Sequence, residues 1–159
     1  MRTRFSAAAC LLACAVLAAP EAEAGASGAP FGRAGAWAVA VAPGNGACEA
    51  RAETGGLVQR YTLGAAWTAE LTLSGDAGAG GTVETLAGCA LPGATAEAAS
   101  LSGAPALRVA LGGAGALRLA LLDGGVAVID AGGARRGAPA PDGRLLLGML
   151  MDCGEFIGG

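Results

Sequence analysis

From Trp37 to Leu73 the chain alternates inward and outward positions with a period of two. Trp37, Val39 and Val41 fall on one side of an extended segment, and Ala36, Ala38 and Ala40 on the other. That is the signature of a strand with one buried face. Pro43-Gly44-Asn45-Gly46 supplies a turn, because Asn-Gly tolerates positive φ. Beyond it Cys48, Ala50 and Ala52 point one way and Glu49, Arg51 and Glu53 the other, so a hairpin is expected. Leu57, Tyr61 and Leu63 share a face of the next segment. Trp67, Ala69, Leu71 and Leu73 share a face of the one after, against Thr68, Glu70 and Thr72. Trp37 and Trp67 are the expected anchors of the core.

The pattern continues more weakly. Residues 82–86 read as a short strand. Residues 94–102 lean toward a helical turn that Thr95 could cap. Leu107, Val109 and Leu111 alternate with small or charged residues, as do Leu117, Leu119 and Leu121, with residues 112–115 as the turn between two strands. Asp123-Gly124-Gly125 signals a further hairpin before a strand at 126–130, and 131–143 reads as a loop. The apolar run 145–151 fits either a doubly buried strand or a short helix, and periodicity does not arbitrate. The sum is about eight short strands, which predicts an all-β fold, a small antiparallel barrel or sandwich. The expected organisation is a leader over 1–24, a flexible N-terminal arm over 25–35, the β domain over 36–151 and a tail over 152–159.

The first residues read as a cleaved signal peptide. Arg2 and Arg4 precede an apolar run over 5–19, Pro20 ends it, and Ala22-Glu23-Ala24 offers small residues for cleavage after Ala24. The implied destination is periplasmic or secreted. Leu11-Leu12-Ala13-Cys14 also looks like a lipobox, in which lipidated Cys14 would make the chain an outer-membrane lipoprotein. The apolar run continues past Cys14 through Val16 and Leu17, which favours simple cleavage. Association with a membrane is expected only if Cys14 is lipidated.

Composition removes most chemistries. The 159 residues include 29 glycines and no histidine, and the formal net charge is −3. The arginines are scattered, so no basic stripe awaits nucleic acid. Without lysine there is no Walker-type loop, and without histidine the serines and cysteines lack their usual general base. Asp123, Asp130 and Asp142 each sit beside a turn, where Asp is favoured for local hydrogen bonding. The expectation is a non-enzymatic protein with no cofactor and no metal, acting by binding or inhibition. Cleavage after Ala24 leaves Cys48, Cys89 and Cys153. Cys48 and Cys89 lie at strand-like positions and are expected to form a disulfide, leaving Cys153 free or available for pairing between molecules. The alternative is that Cys153 pairs with one of them.

The order of features resembles a known family. An arm precedes Ala34-Gly35-Ala36-Trp37, Cys48 follows one hairpin turn later, and a second cysteine lies in Gly88-Cys89-Ala90-Leu91-Pro92. Leu121-Leu122-Asp123-Gly124-Gly125 and Asp142-Gly143-Arg144-Leu145-Leu146-Leu147 come later. This resembles the bacterial metalloprotease inhibitors called Inh, or alkaline proteinase inhibitors, with their related outer-membrane lipoproteins. The resemblance implies an eight-stranded antiparallel barrel with one disulfide. It also implies a mechanism in which the N-terminal arm, at Gly25, Ala26 and Ser27, enters the cleft of a secreted zinc metalloprotease and approaches the metal.

Overall fold

The computed structural model describes residues 28–158 apart from 45, 76 and 77. Gly25, Ala26, Ser27 and Cys14 lie outside the described residues, as does the leader. The described residues form one antiparallel sheet of ten strands: β1 (Ala29–Ala34), β2 (Trp37–Val41), β3 (Ala47–Thr54), β4 (Leu57–Gly64), β5 (Thr68–Ser74), β6 (Gly81–Thr85), β7 (Ala90–Leu101), β8 (Ala104–Gly113), β9 (Gly125–Asp130) and β10 (Arg135–Pro139). Two helices complete it: α1 (Ala114–Leu122), between β8 and β9, and α2 (Gly143–Gly158), after β10. The strands lie in the order β1-β2-β3-β4-β5-β8-β7-β6-β9-β10. The sheet curls into a half-barrel, so the all-β expectation holds. β1 and β10 are its two edges.

The alternation that named the strands also sets which face is buried. Cys48, Ala50 and Ala52 of β3, Tyr61 and Leu63 of β4, and Leu71 and Leu73 of β5 all point into the concave side. Cross-strand register keeps them in rows: Ala50 opposes Tyr61, and Tyr61 opposes Leu71, which opposes Val109 of β8. A one-residue slip would turn every one of these side chains outward. On the other face Arg108 bonds Glu70 at 2.7 Å and Arg135 bonds Glu84 at 2.7 Å. Trp37 is fully buried, as expected, and its ring lies 5.4 Å from that of Tyr61.

Both helices pack on this sheet, α1 against β5–β9 and α2 against β1–β4, and they touch each other. Leu117, Leu119 and Leu121 were expected on a strand and instead lie in α1. Leu117 and Leu121, four apart, are buried, and Leu119 between them is 39% exposed. Apart from Gly115 the segment is made of Ala, Leu and Arg, strong helix formers, and its even spacing fits a strand only by coincidence. The ambiguous run 145–151 belongs to α2. The buried positions Gly143, Leu146, Leu150, Cys153 and Gly154 follow helical spacing, so the expected tail from 152 onward is the second half of that helix. Residues 94–102, expected to lean helical, lie in β7 and its turn, because β6 on one side and β8 on the other take up the backbone hydrogen bonds.

Two other expectations are corrected. The arm over 25–35 does not extend to residue 35, since 29–34 form β1, paired with β2 through a bulge between Pro30 and Gly32. Gly32 lets β1 close on α2: a Cβ there would fall 2.8 Å from Met149 Sδ. The strand count is ten rather than about eight: β1, β7 and β10 fall in segments whose Ala, Gly and Pro content hides them, while the strand expected over 117–121 is helical.

Candidate functional site

The two halves of the half-barrel are clasped by polar side chains from its concave face. Trp37 Nε1 donates to the Pro141 carbonyl at 2.8 Å, and Gln59 Nε2 donates to the Pro139 carbonyl at 2.7 Å. β2 and β4 thereby grip the stretch that carries the chain from β10 into α2. Gln59 is fully buried, and it is the residue that sequence reasoning passed over. The signal was present: it lies between Leu57 and Tyr61 on the face already assigned inward.

Polar capacity is left over in this interior. Gln59 Oε1 and the Tyr61 hydroxyl are buried and have no hydrogen-bond partner. Burial pushes the Tyr61 hydroxyl well above the usual tyrosine range, because the phenolate would have to form away from water. A cavity of ≈ 40 Å³ is lined by Leu57, Leu73, Leu107, Val128, Arg136 and Gly137. Sites for small molecules are roughly 300–1,000 Å³, so this one has room for a water or two and not for a substrate. Its one charge is committed elsewhere, since Arg136 lies 3.7 Å from Asp130 and donates to the Ala79 carbonyl at 3.3 Å.

The disulfide differs from the expected pairing. Cys48 joins Cys153, tying β3 to α2 across a sequence separation of 105. Cys48 faces the concave side, and α2, which the sequence left undecided, delivers Cys153 to it. Cys89 is free and exposed. It sits in the β6–β7 turn, where its amide donates to Thr85 Oγ1 at 3.0 Å and its carbonyl accepts from the Thr85 amide at 2.7 Å. The alternative in which Cys153 takes one of the other two cysteines is the one found.

Trp67 is the other corrected site residue. It is 37% exposed and not a core anchor. Its φ of 58° is left-handed, which breaks the pleat just before β5 begins at Thr68, so the alternation does not extend back to it. The indole lies along α2 instead: a Cβ on Gly154 would fall 3.0 Å from Trp67 Cζ3. On the other flank of that helix Phe156 is 72% exposed, and its ring lies 6.0 Å from Phe31 of β1.

Among the described residues no group of three or more His, Cys, Asp or Glu side chains could hold a metal ion. No helix among them is long and apolar enough to cross a membrane. No family model, curated protein or solved structure matches this chain.

Proposed function

We propose that this chain is an exported, non-catalytic binding domain that works in the cell envelope, periplasmic or associated with the outer membrane. The observation that carries the reading is the Cys48–Cys153 bridge, whose two cysteines are fully buried. A bridge of this kind is compatible with an oxidising compartment and uncommon in a reducing one. The half-barrel is in keeping with the same reading, since two helices pack on its concave face. Thiol alkylation in intact producing cells tests it. With the cells quenched and the protein unfolded in the alkylating agent, Cys89 alone of the three should react before reductant is added, and reaction of Cys48 and Cys153 would place the chain in a reducing compartment and end the proposal.

A second reading, inhibition of a secreted zinc metalloprotease through Gly25, Ala26 and Ser27, is favoured by one observation. Those residues lead directly into β1, an edge strand with one free side. The pairing of 29–34 with β2 leaves a much shorter arm than the sequence suggested. Titration against secreted zinc proteases tests this reading. Loss of protease activity at stoichiometric protein supports it, and full activity at micromolar excess removes it.

A further inference from the structure

α2 presents two faces. Gly143, Leu146, Leu150, Cys153 and Gly154 are buried on the side that packs against the sheet and α1. Arg144, Leu145, Gly148, Asp152, Glu155 and Phe156 stand on the opposite side, and all are exposed, Leu145 at 63% and Phe156 at 72%. The approach of Phe156 to Phe31 thus leaves most of the residue in solvent. Among the described residues Arg144, Asp152 and Glu155 make no ion pair.

The charges on this outer face run against the helix that carries them. A helix macrodipole favours acids in the first turn and bases in the last. α2 has no acid in its first turn and no base in its last. It carries Arg144 at its start and Glu155 at its end, with Asp152 just before. A second helix laid antiparallel on this face reverses the sign of both interactions. Its positive end meets Asp152 and Glu155, and its negative end meets Arg144.

The spacing is self-complementary too. Arg144 and Glu155 lie about three turns apart and fall on one flank of the outer face, while Leu145 and Phe156, also about three turns apart, fall on the other. In an antiparallel pair with two-fold symmetry, each position faces the same flank at the opposite end of the partner. Arg144 then faces Glu155 of the second copy, and Leu145 faces Phe156 of the second copy, each twice by symmetry. Gly148 faces Asp152 of the second copy. All three pairings share one centre, at the level of Leu150. A Cβ on Gly148 would meet nothing within 4 Å inside the single chain, so packing within the domain does not require glycine there. Close approach of a second helix does.

We propose that the outer face of α2 is a homodimer interface, in which two copies of this chain lay α2 against α2, antiparallel, about a two-fold axis at the level of Leu150. The Arg144–Glu155 pairs fix the antiparallel direction, and Leu145 and Phe156 supply the apolar area that each chain alone leaves in water. Such a dimer is independent of the compartment in which the chain works.

The experiment is sedimentation equilibrium of the protein isolated from producing cells, from micromolar to millimolar concentration. It is run on the wild type and on Cys89→Ser, because the exposed Cys89 thiol offers a covalent route to a dimer. Both should show the same reversible dimer. In the Cys89→Ser background, Arg144→Glu or Glu155→Arg should weaken association by about tenfold, since each creates two like-charge contacts. The double reversal Arg144→Glu with Glu155→Arg should restore it. Each single reversal suits the α2 macrodipole, so the melting temperature of the monomer should hold or rise, which separates lost association from lost folding. Gly148→Gln should also weaken the dimer without lowering that melting temperature. The proposal is overturned if the chain stays monomeric at millimolar concentration, or if the dimer is lost in Cys89→Ser. It is overturned equally if the single reversals leave association unchanged, or if the double reversal associates no better than the singles.

Discussion

Replacing Cys48 and Cys153 together by alanine removes the one covalent link between the sheet and α2. The bridge closes a loop with a sequence separation of 105. In the chain-entropy account, cross-linking a loop of that length restricts the unfolded state by about 4.7 kcal/mol. Small domains are stable by only about 5–15 kcal/mol, so this is a large share of the total. Both cysteines are fully buried, and α2 packs on β1, β2 and β3. A domain of this size should lose about 15–20 °C in melting temperature. The assay is thermal unfolding followed by circular dichroism, with the oxidised wild type, the reduced wild type and the double variant side by side. The reduced protein and the double variant should melt together, and Cys89→Ser should melt with the oxidised wild type. An unreduced peptide map should show Cys48 joined to Cys153. A double variant that loses less than about 4 °C, or a Cys89→Ser variant that loses as much as the double one, would refute the reasoning.

Other consequences follow from buried polar atoms and close contacts. Tyr61→Phe should be neutral or stabilising by up to about 1 kcal/mol in denaturant unfolding, because the hydroxyl it removes has no partner. The raised pKa of Tyr61 has a defined sign: stability is complete below the ordinary tyrosine pKa of about 10 and falls as pH rises beyond it, since only the unfolded chain ionises easily. Tyr61 is the only tyrosine, so phenolate absorbance during alkaline titration reports it directly, and Tyr61→Phe should flatten the loss of stability above that pH. Gln59→Met keeps the volume and removes an unpaired acceptor along with one donor, and should cost less than about 1.5 kcal/mol, whereas Gln59→Ala opens a hole and should cost about 2 kcal/mol or more. Gly143→Ala should destabilise by about 2 kcal/mol, measured by urea unfolding, because its Cβ would fall 2.1 Å from the Leu121 carbonyl oxygen and force α2 off α1.

How far the sequence reached varies by element. β2 to β5 were legible because large apolar residues alternate there with Glu, Arg and Thr, and the period of two admits one buried face. β1, β7 and β10 were not, since Ala, Gly and Pro carry little contrast between faces. Their strand state depends on the neighbour that accepts their hydrogen bonds. The candidate site was legible only in part. Trp37 was correctly placed in the core, while Trp67 was misassigned by extending the alternation one residue past a left-handed break.

The sequence by itself determined the all-β class, the face each of β2–β5 buries and the placing of Trp37, because these follow from local periodicity. Only the tertiary structure decided the bridge between Cys48 and Cys153, the helical state of α1 and α2, and the exposure of Trp67 and Phe156. Each depends on what lies opposite in space: a cysteine's partner, the sheet a helix packs on and the neighbours of an aromatic ring are set by contacts between segments far apart in the chain. An alanine- and glycine-rich sequence carries little local signal for such contacts.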